Sequence, residues 1–131
     1  MNLLLDTHIW LWSLLEPDRL CGRARNELID PANTLALSPV SVWETLVLAE
    51  EDRVLLRPDP WSWIRTALTV RPLREVPVTF DIALGSRTIR VGHDDPADRF
   101  IAATAMVHGL TLVTADRSLL QCPDIGVLPG T

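Results

Sequence analysis

The apolar positions of this chain form two alternating kinds of run. Asn2–Leu5, Leu35–Ser38 and Leu110–Thr114 are short and nearly continuous, as expected of strands buried on both faces. The longer stretches between them carry apolar residues at helical spacing or nearly all round. They predict helices over Thr7–Leu15, Arg23–Ile29, Ser41–Glu51, Trp61–Val70, Phe80–Ile89 and Pro96–His108, with a short one at Arg117–Leu120. Pro17 stops the first helix and Gly109 the sixth. Glu75–Val78 makes a poor strand, because Pro77 has no N–H, and it suits a sheet edge. Gly126–Leu128 is a last edge strand. Strands alternating with helices predict an α/β fold, with a central parallel sheet and helices on both faces.

Acidic residues stand at the handovers. LLLD ends at Asp6, the stretch from Leu35 ends at Glu44, and LTLVTAD ends at Asp116, while Asp98 opens the strongly apolar 96–108 helix. Each has a local explanation as a cap. Asp6 and Asp116 precede helices. Ser41-Val42-Trp43-Glu44 fits a capping box. Asp95-Pro96-Ala97-Asp98 puts Asp95 at N-cap, Pro96 at N1 and Asp98 where an acid complements the helix dipole. Taken together they point elsewhere. A parallel sheet brings Asp6, Glu44 and Asp116 to one edge, where α/β proteins bind ligands, and Asp98 joins them from its helix. Four carboxylates so placed repel one another and raise one another's pKa. A divalent cation removes the conflict, and an all-oxygen donor set suits Mg²⁺ or Mn²⁺.

At 131 residues, with 47% hydrophobic and 22% charged residues, the chain has the size and balance of one globular domain spanning residues 1–131. It carries no repeat or low-complexity tract. No apolar run approaches the roughly 20 residues of a membrane span, and MNLLLDTHIWLW lacks the basic start of a signal peptide. Cys21 and Cys122 have neither disulfide-framework nor metal-site spacing. A cytoplasmic location is the expectation. Net charge is −5, which argues against non-specific nucleic-acid binding by the bare protein. All twelve basic residues are arginines. The absence of lysine excludes a P-loop and the lysine-dependent phosphoaspartate enzymes. Arg87, Arg90, Arg99 and Arg117 lie near the acids in sequence; each reads first as a solvated surface charge, with phosphate contact as the alternative.

A cation held by acids suits phosphodiester hydrolysis, since it activates water and neutralises phosphate. It also resolves the charge paradox: the acidic pocket attracts a polyanion only when filled. The residues alone do not separate RNA from DNA, because none is seen to read a 2′-hydroxyl.

The segments LLLDTHIWLW, SPVSVWE, DPADRFIAATA and LVTADRSL, in this order and spacing, resemble the motifs of the PIN-domain family, in particular the VapC-type toxins of bacterial toxin–antitoxin pairs. The resemblance covers essentially the whole chain. It implies a PIN-like, Rossmann-like domain, Mg²⁺- or Mn²⁺-dependent endoribonuclease activity, inhibition by a cognate VapB-like antitoxin, and homodimer formation. The family's acidic positions fall on Asp6, Glu44, Asp98 and Asp116. One departure is Ala97, where the common DPFDR motif has an aromatic.

On this reading Asp6 and Asp98 are direct metal ligands and Asp116 is a third or binds through water, while Glu44 orients or deprotonates the attacking water or bridges through a metal-bound water. Asp95 is a helix cap behind them. Thr7 and Thr114 are candidates to hydrogen-bond the carboxylates. His8 and His93 are taken as surface or packing residues. Trp10, Trp12, Trp43, Trp61 and Trp63 serve either the core or a groove for a partner. A catalytically silent PIN-like module that binds RNA or protein is the rival reading, opposed by the complete acid set. A haloacid-dehalogenase-type phosphatase would need a second Asp where His8 stands.

Overall fold

A computed structural model describes all 131 residues, Met1–Thr131. In chain order the elements are β1 (Asn2–Leu5), α1 (Thr7–Leu15), α2 (Gly22–Ile29), β2 (Thr34–Leu37), α3 (Pro39–Glu50), α4 (Pro60–Val70), β3 (Arg74–Glu75), α5 (Phe80–Thr88), α6 (Pro96–His108), β4 (Thr111–Thr114), α7 (Arg117–Leu120) and β5 (Gly126–Pro129). A 3₁₀ turn at Pro17–Arg19 follows α1. The five strands form one sheet of order β3-β2-β1-β4-β5. Every pairing is parallel, with Leu4 opposite Ala36 on one side and Leu112 on the other.

The alternation of side chains along the strands divides the interior in two. Leu3, Leu5, Leu35, Leu37, Val113 and Leu128 face a core shared with α1, α2 and α4. Leu4, Ala36 and Leu112 face the opposite core, shared with α5, α6 and α7. This is the expected α/β architecture, a parallel sheet covered by helices on both faces. β3 shrinks to two residues at the sheet edge, as the missing N–H of Pro77 requires. Gly109 ends α6 in the left-handed conformation, φ 64°, which only glycine adopts without a steric cost. No helix is long and apolar enough to cross a membrane.

One boundary corrects the sequence reading. Ser41 does not cap α3; Ser38 does, accepting from the Val40 N–H at 3.1 Å. Pro39 explains the shift. Its ring pre-sets φ for the first helical position, where no N–H is needed, so α3 begins two residues before Ser41. Glu44 thereby leaves the capping role and sits in the second turn.

The chain passes from β1 outward to β2 and β3, then returns to β4 on the other side. The sheet therefore has its topological switch point between β1 and β4, where a crevice opens at the carboxyl ends of the strands.

Candidate metal centre

Asp6 follows β1 at that switch point. Its main-chain N–H still pairs with the Val113 carbonyl at 3.0 Å, so the residue is fixed by the sheet. Its Oδ1 accepts from the Thr7 N–H at 2.9 Å, which caps α1. Its Oδ2 accepts from the Thr114 hydroxyl at 2.7 Å. Asp116 follows β4 and caps α7 through the Leu119 N–H at 3.0 Å, while its own N–H donates to Thr114 Oγ1. Asp95 caps α6 through the Ala97 N–H. Glu44 lost its capping role with Ser41, whereas for Asp6, Asp95 and Asp116 the local explanation as a cap is correct. In none of the three does it exhaust the carboxylate, because a cap uses one oxygen lone pair of several.

Asp98 arrives by a different route. α6 leads into β4, so it runs back across the sheet and its N-terminal turn lies at the strands' carboxyl edge. Glu44 projects from α3 on the other side of β1. Asp6, Glu44, Asp95, Asp98 and Asp116 line one cleft of about 360 Å³, together with His8, Trp12 and Ala115. Two sets of donor atoms lie within 4.8 Å of one another: Glu44, Asp95 and Asp98, and His93, Asp98 and Asp116. Asp98 is common to both. Asp6 lines the same cleft but belongs to neither set.

The electrostatics carry the strain of this crowding. Burial first, and then the neighbouring carboxylates of Asp6, Asp95, Glu44 and Asp116, push the Asp98 carboxyl from 3.8 up to about 8. Asp6 is also raised, chiefly by burial; the Thr114 hydroxyl and the Thr7 N–H counteract this, and Glu44 adds to it. Oε1 of Glu44 is buried with no hydrogen-bond partner. A buried polar oxygen without a donor is costly. Glu44 shares the cleft with four other acids, and an unmet oxygen there has the chemistry of a group awaiting a cation. The clustered carboxylate oxygens fit a divalent ion.

Three expectations change. Thr7 does not hydrogen-bond the carboxylates through its hydroxyl, which donates instead to Ser41 Oγ at 2.9 Å and ties α1 to α3. Arg99 is not a phosphate contact. It is 8% exposed and donates to the carbonyls of Ser86, Ile89 and His93. Arg90 is bound to Asp124, with Nη2 at 2.6 Å from Oδ1. Only Arg87 and Arg117 of the four remain exposed and unpaired.

Sequence reasoning missed His93. Its Nε2 lies 3.3 Å from Asp98 Oδ2 and 3.7 Å from Asp116 Oδ1. The signal was its place two residues before Asp95, in the segment leading to α6, but no second histidine at ligand spacing drew attention to it. The tryptophans divide. Trp10 is buried and meets half-buried Trp63 edge-on at 6.0 Å, whereas Trp43 and Trp61 are 57% and 60% exposed.

The PIN domain family model matches residues 3–124. Over 119 residues the chain is 37% identical to Ribonuclease VapC22 of Mycobacterium tuberculosis, which covers 90% of this chain and 89% of that protein. Among solved structures it resembles FitAcB from Neisseria gonorrhoeae, with TM-score 0.68, 26% identity and 96% of each chain covered. VapBC2 from Rickettsia felis bound to a promoter DNA fragment shares the fold, with TM-score 0.75 and 19% identity over the full length of both chains. The chain belongs to the PIN-domain family, and within it to the VapC type.

Proposed function

We propose that this protein is a metal-dependent endoribonuclease acting as the toxin of a toxin–antitoxin pair, with residues 1–131 forming one catalytic domain. The observation that carries the reading is the cleft at the sheet's switch point, where five carboxylates meet and Asp98 is pushed up to about 8. The kinship with a protein named a ribonuclease supports RNA as the substrate.

Asp6, Asp98 and Asp116 would hold the cation, taken to be Mg²⁺ or Mn²⁺. When bound, it supplies positive charge to the scissile phosphate and acidity to a water. Thr114 orients Asp6 through its hydroxyl and opposes the rise in pKa that burial imposes on that carboxyl. Glu44, with its free Oε1, orients the attacking water and accepts its proton. The water oxygen bonds to phosphorus as the bond to one bridging oxygen breaks, and that departing oxygen takes a proton from solvent, which balances the one Glu44 accepts. Asp95 holds the first turn of α6, and with it Asp98, in place.

The proposed partners are a cognate VapB-like antitoxin and a second copy of the chain, in a cytoplasmic setting. The exposed Trp43 and Trp61 are surfaces that such a partner would cover. Incubating purified protein with total RNA in Mg²⁺ or Mn²⁺, with and without EDTA, tests the reading. Cleavage that EDTA abolishes, and that Asp6→Asn and Asp98→Asn lack while remaining folded, supports it. RNA binding without cleavage in either metal would favour the silent-module alternative.

A further inference from the structure

His93 touches the carboxylate cluster from the segment between α5 and α6, and its hydrogen bonding constrains what it can do there. The main-chain N–H of Asp95 donates to Nδ1 of His93 at 3.2 Å. A ring nitrogen that accepts a hydrogen bond carries no proton, so the neutral imidazole holds its proton on Nε2. That is the nitrogen 3.3 Å from Asp98 Oδ2 and 3.7 Å from Asp116 Oδ1. A metal-bound histidine shows the opposite arrangement, with a bare nitrogen on the metal and the other N–H donating outward.

The segment bearing His93 is held on two sides. Arg99, buried beneath it, donates from Nη1 to the His93 carbonyl, from Nη2 to the Ile89 carbonyl and from Nε to the Ser86 carbonyl. Arg90 clamps it to Asp124, through its main-chain N–H at 2.9 Å and its guanidinium at 2.6 Å. The backbone that carries the imidazole is therefore held from within by Arg99 and at the surface by Arg90, and the Asp95 N–H fixes the ring.

We infer that His93 is a positioning residue of the carboxylate cluster: its Nε2–H lies between Asp98 and Asp116 and holds them side by side for a cation that the imidazole does not itself ligate. The inference rests on the metal reading above, and it separates His93 from the acids in kind. The N–H dipole offsets part of the repulsion between two carboxylates that reach the cleft from different elements, α6 and the end of β4.

Two measurements test it. Long-range ¹H–¹⁵N NMR of the metal-free protein at neutral pH reads the tautomer directly. The Nε2–H form is expected, and an Nδ1–H form overturns the inference without touching the metal reading. Mn²⁺ titration followed by electron paramagnetic resonance then gives affinity and ligand type. Wild-type protein is expected to bind Mn²⁺ with no hyperfine coupling from a directly bonded imidazole nitrogen. His93→Ala should weaken binding about tenfold, the range for groups that orient metal ligands. His93→Gln, which keeps an N–H at similar reach, should restore most of the affinity. A directly bonded nitrogen signal that disappears in His93→Ala, or wild-type affinity in a folded His93→Ala protein, overturns the inference. Failure of the wild-type protein to bind Mn²⁺ at all overturns the metal reading and the inference with it.

Discussion

The Thr114 hydroxyl donates to Oδ2 of Asp6 over 2.7 Å, although the residues stand 108 positions apart in the chain. The contact joins the ends of β1 and β4, the two strands that flank the switch point. It counteracts the rise that burial imposes on Asp6. Thr114 Oγ1 also accepts from the Asp116 N–H at 3.0 Å, so one hydroxyl orders two of the acids. Thr114→Val should weaken Mn²⁺ binding about tenfold and cost about 2 kcal/mol of stability through the unmet partners. Thr114→Ser should retain most of both. Isothermal titration and urea unfolding give the two numbers.

Asp98 is the residue common to both sets of clustered donors. Asp98→Asn is expected to reduce cation-dependent RNA cleavage by more than about 100-fold, beyond the loss typical of groups that merely orient ligands. The same substitution should raise the melting temperature of the metal-free protein near pH 8, because it removes a buried charge among like charges. Opposite signs in activity and stability identify a functional acid. A loss of both would instead mark Asp98 as structural.

The metal-free protein should lose stability as pH rises. The folded-state pKa of Asp98 is about 8, against an ordinary value of 3.8. Between these values the native state holds a proton that the unfolded chain has released, so stability falls with pH. The contribution is fully present below about pH 3.8 and is lost as pH passes through about 8. Asp6, also raised, acts in the same direction. Unfolding in EDTA across this window measures the slope, and Asp98→Asn should flatten it.

Divalent cation should reverse that trend by binding the ionised acids. At 100 times its dissociation constant, Mg²⁺ or Mn²⁺ should stabilise the fold by about 2.7 kcal/mol, with the gain shrinking as pH falls and protons compete. Thermal unfolding with and without EDTA checks this. No shift at any pH would contradict the assignment of a metal centre.

Arg99→Met should cost about 3 kcal/mol, because it strips a charged donor from buried carbonyls of Ser86 and Ile89. Arg90→Ala removes an exposed pair and should leave the unfolding midpoint nearly unchanged. Chemical denaturation of both variants tests the contrast between two arginines that the sequence presents alike.

Much of the site was legible because it lies at handovers between elements. Asp6 and Asp116 each end a strand-like run, and Asp95-Pro96 announces a helix start, so local pattern placed all three. The convergence of Asp98 followed from topology once the sheet was read as parallel. Ser41 misled because Ser-x-x-Glu satisfies the capping-box pattern, while Pro39 two residues earlier had the stronger local preference. His93 and Arg99 were not legible for a shared reason. Their roles are set by how the 89–95 segment folds back onto α6, and neither apolar period nor spacing encodes that return. Arg99 sits in a polar-looking DPADR stretch, yet its partners are main-chain carbonyls with no signature of their own.

The sequestering of Arg90 and Arg99 has a consequence for the order of events at the cleft. With those two guanidinium groups committed elsewhere, the five acids are faced by few free positive charges, and a bare pocket repels any polyanion that approaches. Cation binding and polyanion binding are then thermodynamically linked, each strengthening the other by the same factor. On the proposed function, the pocket would act as a two-key lock, in which ion and nucleic acid each tighten the hold on the other.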